Sequence, residues 1–188
     1  MPAHHLPATG HKPQPWKNGL GVSQLIADHP EGAGFEHVLW QVGATSIAAD
    51  CPFSSLPQLD RKIMVLEGGG IELQSIDEVG KAHKKRLKAM RLPYSFQGDW
   101  KTDCKLIKGP VRVFNVMTRR GIYDAHVDFQ GEKLLAGAGG ETLIAVELKT
   151  LDAWMLDGEG TIELPASAGK VAAIRIRAIP KVIPRKKR

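Results

Sequence analysis

Three functional side chains stand side by side near the start of the chain, at Trp16, Lys17 and Asn18. An indole can stack on a ligand, a lysine attracts an anion, and an asparagine amide both donates and accepts hydrogen bonds. Two glycines, Gly19 and Gly21, follow at once. The stretch predicts either one wall of a binding site or a turn leading into a strand, with the indole closing the end of a barrel.

A second candidate pair, Asp60 and Arg61, directly precedes an aliphatic run. Neighbours in an extended segment point to opposite faces, so one of the two side chains could point inward. An inward arginine would form a fork for a carboxylate or a phosphate. The alternative is a surface ion pair with another loop.

A third candidate set lies in the stretch FNVMTRRG, where alternation places Asn115, Met117 and Arg119 on one face of a strand. An amide, a soft apolar side chain and a guanidinium on one face suit the pocket wall of a small polar ligand. The alternative is a strand with a solvent-exposed end.

The residue pattern predicts no metal site, no cofactor and no catalytic nucleophile. The histidines do not form a close pair within a strand, and no CxxC motif or G-x-S-x-G motif occurs. The glycine-rich run EGGG is not followed by the GK[ST] of a phosphate loop. Cys51 and Cys104 are interpreted as reduced thiols, because the N-terminus has no apolar signal region. With no apolar run near membrane-spanning length, the sequence predicts a cytoplasmic protein without membrane contact.

The net charge of +6 on 188 residues is concentrated in two short segments. The tail 181–188 carries five of the 26 cations and the segment 81–91 carries six, which leaves 15 cations against 20 acidic residues elsewhere. Basic runs can bind nucleic acid, but neither run is interleaved with stacking aromatics. Solvated segments are therefore favoured over a nucleic-acid interface.

Many short apolar runs separated by Gly and Pro predict an all-β sandwich or barrel. The predicted strands are 22–28, 35–42, 61–66, 71–76, 111–117, 123–129, 142–148, 153–156, 161–164 and 171–179. The segment 81–91 fits either a short helix or a strand, and residues 1–14 are expected to be flexible. An exposed strand could pair across a two-fold homodimer.

One internal similarity is visible between VLEGGGIEL at 65–73 and MLDGEGTIEL at 155–164. Each has a strand, an acidic residue, a Gly-x-Gly turn and a second strand ending in Ile-Glu-Leu. Two copies of one unit, about half a chain apart, are consistent with a duplicated barrel.

Several motifs in the same order resemble the HutD/Ves family of cupin-like bacterial proteins. They are PWKNGLG, the run LWQVGATSIAADCPFSSLPQLDRKIMVLEGGGIEL, then FQGD and VRVFNVMTRR. The resemblance implies a double-stranded β-helix with two cupin-like halves, about 15–110 and 111–180, in one domain from 15 to 180, followed by a basic tail at 181–188. Two departures are Leu20 at a usual glycine and Gln41 where members often carry arginine.

The resemblance also implies a pocket. Its motifs fall on Trp16, Lys17, Asn18, Gly19, Asp60, Arg61, Asn115, Met117 and Arg119. The implied function is metal-free binding of a small anionic metabolite, such as an intermediate of histidine degradation, in a sensing or regulatory role. The alternatives are an isomerase or hydrolase using Lys17 or Asp60 as acid or base, and an interaction module for nucleic acid or protein built on the basic segments.

Overall fold

The computed structural model describes residues 2–180 and is built almost entirely of β-strands, which confirms the all-β prediction. Its helical parts are a 3-10 turn at Ala8–Gly10 and one short helix, α1, at Gly34–His37. The strands are β1 (His4–Leu6), β2 (Lys12–Pro15), β3 (Val22–His29), β4 (Trp40–Ile47), β5 (Cys51–Pro52), β6 (Leu59–Glu67), β7 (Ile71–Ile76), β8 (Ala82–Leu87), β9 (Tyr94–Gln97), β10 (Lys101–Leu106), β11 (Val111–Arg119), β12 (Tyr123–Gln130), β13 (Leu134–Gly137), β14 (Glu141–Glu147), β15 (Ala153–Asp157), β16 (Gly160–Glu163) and β17 (Val171–Ala178). The predicted basic tail, 181–188, lies outside the described residues. Within them, no helix has the length and apolar character needed to span a bilayer.

The strands form four sheets with antiparallel pairing between neighbours. Sheet I has the order β2-β3-β4-β11-β6-β9, and sheet II has the order β5-β10-β7-β8. Sheet III has the order β1-β15-β14-β17-β12, and sheet IV contains β13 and β16. Strands that follow each other along the chain often enter different sheets, so the EGGG turn joins β6 of sheet I to β7 of sheet II.

The buried apolar residues place the sheets in the layer order II, I, III, IV. One cluster joins sheet I to sheet III, with Phe114 and Val116 packed with Ile144 and Ile174. A second cluster fills the space between sheets I and II, and a third fills the space between sheets III and IV. Because side chains alternate along a strand, the even-numbered residues of β11 face sheet III and the odd-numbered ones face sheet II.

Two parts of the fold repeat the same strand order. In sheet I the order β4-β11-β6-β9 matches β12-β17-β14-β15 in sheet III, and the pair β5-β10 matches β13-β16. Strands β7 and β8 have no counterpart among residues 2–180. In this correspondence β6 is equivalent to β14, whereas β15 is equivalent to β9. The similar segments 65–73 and 155–164 therefore occupy different positions in the two parts, and their likeness does not follow this correspondence.

Two predicted boundaries differ from the structure. Strand β11 pairs with β4 and β6, so the first group of strands extends to Arg119 rather than ending near residue 110. The segment 1–14, which we expected to be flexible, contributes β1 to the edge of sheet III and β2 to the edge of sheet I. Backbone hydrogen bonds to an existing sheet edge hold these short strands in place. Such bonds require no apolar side chains, so the sequence of a short polar strand shows no apolar alternation.

The predicted strand at 35–42 was wrong over its first half. Residues Gly34–His37 form α1, and β4 begins at Trp40. Gly34 adopts a φ of 66°, which turns the chain out of an extended path, and the Val38 amide donates to the Gly34 carbonyl. The aromatic Phe35 then packs against a small cluster around Leu56 instead of lying in a sheet.

The basic segment 81–91 contains a strand, β8, at the edge of sheet II. Two of its cations, Lys84 and Arg86, lie 2.9 and 2.7 Å from carboxylate oxygens of Glu72 on the neighbouring strand. Hydrogen bonds from Arg86, Lys84 and Gln74 lower the pKa of Glu72 to about 2. Part of the positive charge in this segment is therefore balanced within the sheet.

Candidate functional site: a buried arginine cavity

A small cavity lies on the face of sheet I that faces sheet II. Its volume is about 40 Å³. Four of the predicted site residues line it, namely Trp16, Arg61, Asn115 and Met117. The other lining residues are Ser23, Phe35, Gln41, Thr45, Ile47, Phe53, Ser54, Leu56 and Val113. Sequence positions about a hundred residues apart thus meet at one place.

Strand register explains this meeting. On β11, Met117 lies opposite Arg61 of β6 and opposite Gln41 of β4, so these three residues form one row across the sheet. In the adjacent row on the same face, Asn115 lies opposite Gly43 of β4. Side chains in such rows point to the same face. A side chain at Gly43 would come within 2.9 Å of the Gln24 backbone oxygen, so glycine at this position allows β3 to lie close to β4.

Arg61 is a buried cation without an anionic partner. It is 6% exposed, and no carboxylate among residues 2–180 lies within ion-pairing distance of it. One guanidinium nitrogen donates to Asn115 Oδ1 at 3.3 Å, while Nε is buried without a hydrogen-bond partner. The guanidinium carbon lies 5.0 Å from the Phe53 ring centroid and 4.9 Å from that of Phe96. The rings hold the cation in place but do not neutralise it.

Burial lowers the pKa of Arg61 to about 10. The side chain therefore stays protonated at neutral pH, even though burial disfavours its charge. A buried charge that lacks a partner is costly, and native proteins seldom keep one without a use. An anion entering the cavity would supply the missing counter-charge.

The opening motif closes one side of the cavity through Trp16. Its indole nitrogen donates to Ser23 Oγ at 3.1 Å, and its ring meets the Phe53 ring edge-on at 6.1 Å between centroids. A side chain at Gly21 would come within 2.9 Å of the Trp16 ring, so the second glycine of the motif leaves space for the indole. The stretch also forms a turn, in which the Gly19 amide donates to the Trp16 carbonyl at 2.9 Å and the Trp16 amide donates to the Gly21 carbonyl at 2.8 Å.

Asn18 and Gly19 hold the cavity wall without lining it. The Asn18 side-chain amide donates to the Pro52 carbonyl at 3.0 Å, and its backbone amide donates to Ser54 Oγ at 3.2 Å. These bonds tie the opening loop to the loop that carries Phe53. Gly19 has a φ of 71°, which a glycine adopts without strain at this turn.

Lys17 and Arg119 lie at a neighbouring outer pocket, on the far side of Phe35 and Leu56, which both pockets share. The Arg119 guanidinium donates to the backbone carbonyls of Phe35, Glu36 and Val38, at distances of 2.8 to 3.2 Å. Arg119 therefore holds α1 against the end of β11, and its Nε and Nη2 are already used by these carbonyls. Lys17 is exposed.

Asp60 points away from the cavity, as alternation along β6 requires. Its carboxylate accepts a hydrogen bond from Arg120 Nε at 2.8 Å, and Asp99 binds the same guanidinium at 2.6 Å. For Asp60 the ion-pair interpretation therefore describes the contacts, whereas for Arg61 the inward orientation does.

The sequence reasoning missed several polar lining residues, including Gln41 and Thr45 on β4. Thr45 is paired, since its hydroxyl lies 2.5 Å from Ser23 Oγ. Gln41 is 4% exposed, its Nε2 donates to Gln14 Oε1, and its own Oε1 has no partner. A signal was available, because Gln41 and Thr45 are polar residues at positions of one face in a strand otherwise made of apolar and small residues.

The cavity does not offer metal ligands. Its lining within residues 2–180 contains no His, Cys, Asp or Glu side chain, and no group of three such residues in that range could hold a metal ion. Nitrogen, thiolate and carboxylate ligands are those that transition metals select, and the cavity instead presents amides, hydroxyls and one guanidinium.

A larger groove of about 530 Å³ lies between sheets I and III, lined in part by Lys12, Asp28, Trp40 and Tyr123. Its cation is already paired, because Lys12 Nζ lies 2.9 Å from Glu31 Oε1. None of its lining residues in the described chain has a buried polar atom without a partner. We therefore assign the candidate site to the smaller cavity, where such atoms occur.

Comparisons with known proteins agree with the motif resemblance. The HutD family model matches residues 8–173. Protein Ves of Cronobacter sakazakii is 28% identical over 168 residues, which cover 83% of this chain and 88% of that protein. The structure of HutD from Pseudomonas fluorescens SBW25 aligns with a TM-score of 0.75 at 24% identity, over 95% of this chain and all of that one.

The likeness in fold extends to more distant proteins. Oxalate decarboxylase from Lactobacillus farciminis aligns with a TM-score of 0.54 at 5% identity, over 93% of this chain and 86% of that one. The architecture is therefore a cupin-like β fold. With the family model matching most of its length, the chain belongs to the HutD family.

Proposed function

We propose that this protein binds a small anionic metabolite in the cavity around Arg61. The observation that carries the proposal is the buried guanidinium, which has no carboxylate partner and an unpaired Nε within residues 2–180. A carboxylate suits this group because its two oxygens accept paired hydrogen bonds from a guanidinium. Asn115 would orient the anion, and the Trp16 ring and Met117 would cover its apolar part.

The family suggests which anions to try first. A relative named HutD points to histidine utilisation, so the intermediates of histidine breakdown are the first candidates for the metabolite. Binding without turnover, in a sensing or regulatory role, is the function we favour. The alternative is an isomerase or hydrolase, but Lys17 and Asp60, its proposed acid and base, do not line the cavity.

The two matching strand orders support a further part of this proposal, namely that the chain is a bicupin with a site in its first half only. The equivalent interior in the second part is filled by an apolar cluster that includes Leu143, Leu156 and Ile162. A filled interior leaves no space for a ligand there, so the proposal places the ligand in the first half alone.

The experiment is a thermal-shift screen of the purified protein against formate, acetate, urocanate, formiminoglutamate, formylglutamate and histidine. Formate is included because the Pseudomonas fluorescens relative was solved in a formate condition. A ligand that binds only the folded state, at ~100 times its dissociation constant, adds roughly 2.7 kcal/mol to stability. A shift with at least one anion, absent in Arg61→Met, is expected. The absence of a shift with every compound would contradict the proposal.

Substitutions at the predicted residues outside the cavity provide a separate prediction. Lys17→Ala and Asp60→Asn are expected to leave the dissociation constant of the anion within about twofold of wild type, because neither side chain reaches the buried guanidinium. Titration calorimetry of each variant measures this. A loss of binding in Asp60→Asn comparable with that in Arg61→Met would instead support the enzyme-like interpretation of the Asp60 carboxylate.

A further inference from the structure

The Arg61 cavity contains a second unsatisfied group, which has the opposite hydrogen-bonding character. Gln41 lines the cavity and is 4% exposed, and its Oε1 is buried without a partner. Its Nε2 is used by Gln14. In the part of the chain that the structure describes, the cavity thus has a buried donor without a partner, Arg61 Nε, and a buried acceptor without a partner, Gln41 Oε1. Leaving either one unpaired is costly.

The two groups stand on either side of one residue. Arg61, Met117 and Gln41 form a single row on neighbouring strands β6, β11 and β4. Adjacent strands lie about 4.8 Å apart, so the Cα atoms of Arg61 and Gln41 are roughly 10 Å apart across Met117. Both side chains point to the same face, and a small molecule above Met117 can reach both.

A plain carboxylate satisfies only half of this arrangement. Its oxygens accept from the guanidinium, but they carry no hydrogen to donate and would bring lone pairs near Gln41 Oε1. A ligand with a hydroxyl or an N–H group next to its acidic group satisfies both ends. The same chemistry agrees with the neutral side chain of Gln41 across the cavity, since a carboxylate at that position would itself pair with the guanidinium.

The geometry points to a short acid that carries a hydrogen-bond donor on the atom adjacent to its acidic group, with the acid on Arg61 and the donor on Gln41 Oε1. This inference rests on the proposed function and defines its ligand class. The size of the cavity agrees with a small binding group. Its volume of about 40 Å³ equals roughly three water positions, when ~10–15 Å³ is enough for one.

Acetate and glycolate are matched probes, because they differ by one hydroxyl group on the carbon next to the carboxylate. Their dissociation constants are to be measured by NMR titration, with the indole N–H signal of Trp16 as the reporter. In wild type, glycolate is expected to bind about tenfold more tightly than acetate. In Gln41→Leu the ratio is expected to fall to about one, with acetate bound at least as tightly as in wild type.

Two further variants keep the test decisive. Gln24→Leu removes an exposed glutamine from β3 and is expected to leave the ratio at its wild-type value. Gln41→Glu keeps the size of the side chain but supplies an internal anion opposite Arg61, so we expect both probes to lose binding at least tenfold. This variant provides the answer if Gln41→Leu does not fold.

The outcomes separate this inference from the proposal on which it rests. If acetate and glycolate bind wild type equally through Arg61, the role of Gln41 is refuted while anion binding stands. A glycolate preference that persists in Gln41→Leu also refutes it. If neither probe binds and the metabolite screen is negative as well, both proposals fail.

Discussion

Replacing Arg61 by methionine is expected to abolish anion binding and to raise the stability of the unliganded protein at the same time. Burial lowers the pKa of Arg61 to about 10, which corresponds to a penalty on the order of 3 kcal/mol for keeping the charge in the fold. The rings of Phe53 and Phe96 recover part of this cost. Methionine is unbranched and apolar and can follow the path of the arginine stem between the same rings.

The expected gain is about 1–2 kcal/mol in the free energy of unfolding, or roughly 2–8 °C in melting temperature for a chain of this size. Denaturant unfolding and calorimetry without ligand measure the gain, and the thermal-shift screen measures the loss of binding. The matched control is Arg91→Met, which removes an exposed arginine and is expected to change stability by no more than ~0.5 kcal/mol. A strongly destabilised Arg61→Met protein would mean that the guanidinium serves the fold rather than a ligand.

Stability gained by removing a site residue is a known sign of a functional group retained at a cost to the fold. Arg119 and Arg61 of this protein differ in how their charges are solvated. Arg119 is partly buried and donates to three backbone carbonyls, so its charge is solvated by the chain. Arg61 has one long hydrogen bond and two aromatic neighbours. An external anion would therefore add hydrogen bonds and a counter-charge that Arg61 lacks and that Arg119 does not need.

The second large effect is expected at Glu141, whose side chain is fully buried in sheet III. One carboxylate oxygen accepts from Arg175 at 2.7 Å and from the Ala138 amide at 2.9 Å, and the other accepts from Arg177 at 2.8 Å. Glu141→Gln removes the charge and turns an amide group toward these donors. Breaking a buried ion pair by changing one partner costs ~3–5 kcal/mol, and the partial exposure of the arginines reduces our expectation to about 2–3 kcal/mol.

The pH dependence of this effect has a definite sign. Burial raises the pKa of Glu141, but hydrogen bonds from Ala138 and Arg177 and the charges of both arginines outweigh burial, so the net pKa is lowered. A carboxyl group whose pKa is lower in the folded than in the unfolded protein contributes its full stabilisation when the pH lies above its unfolded pKa, near 4.3. That contribution is lost as the pH falls through the folded pKa. The stability difference between wild type and Glu141→Gln should therefore be full at pH 7 and shrink below about pH 4.

Urea unfolding of both proteins at pH 7 and in the acidic range measures this difference. Glu163→Gln is the matched control, because this glutamate is exposed on the short sheet IV and its removal should be nearly neutral. Equal stability of wild type and Glu141→Gln at pH 7 would show that the buried carboxylate contributes nothing beyond what an amide can replace.

Local sequence patterns were sufficient for most of the strands. Alternation and β-branched runs correctly located β3, β6, β7 and β11, and in the second part β12, β14, β15, β16 and β17. A strand that buries one or both faces must display that in its side chains. The strands that the sequence did not reveal are β1, β2, β5, β9, β10 and β13. Two of them, β1 and β2, are short and polar. They are held by backbone bonds to sheet edges, which leave no trace in side-chain character.

The sequence predicted the types of residue at the candidate site, but only four of the nine residues that it named line the cavity. The sequence determined that an amide, a guanidinium and an aromatic would be available near strand ends, and the motif order identified the family. Only the tertiary structure decided that Arg61 turns inward while Asp60 pairs with Arg120, and that Arg119 Nη2 donates to carbonyls of α1. The physical reason is that partners are set by the register of strands distant in sequence. Residues 41, 61 and 117 share one row only because β4, β11 and β6 are neighbours in the same sheet.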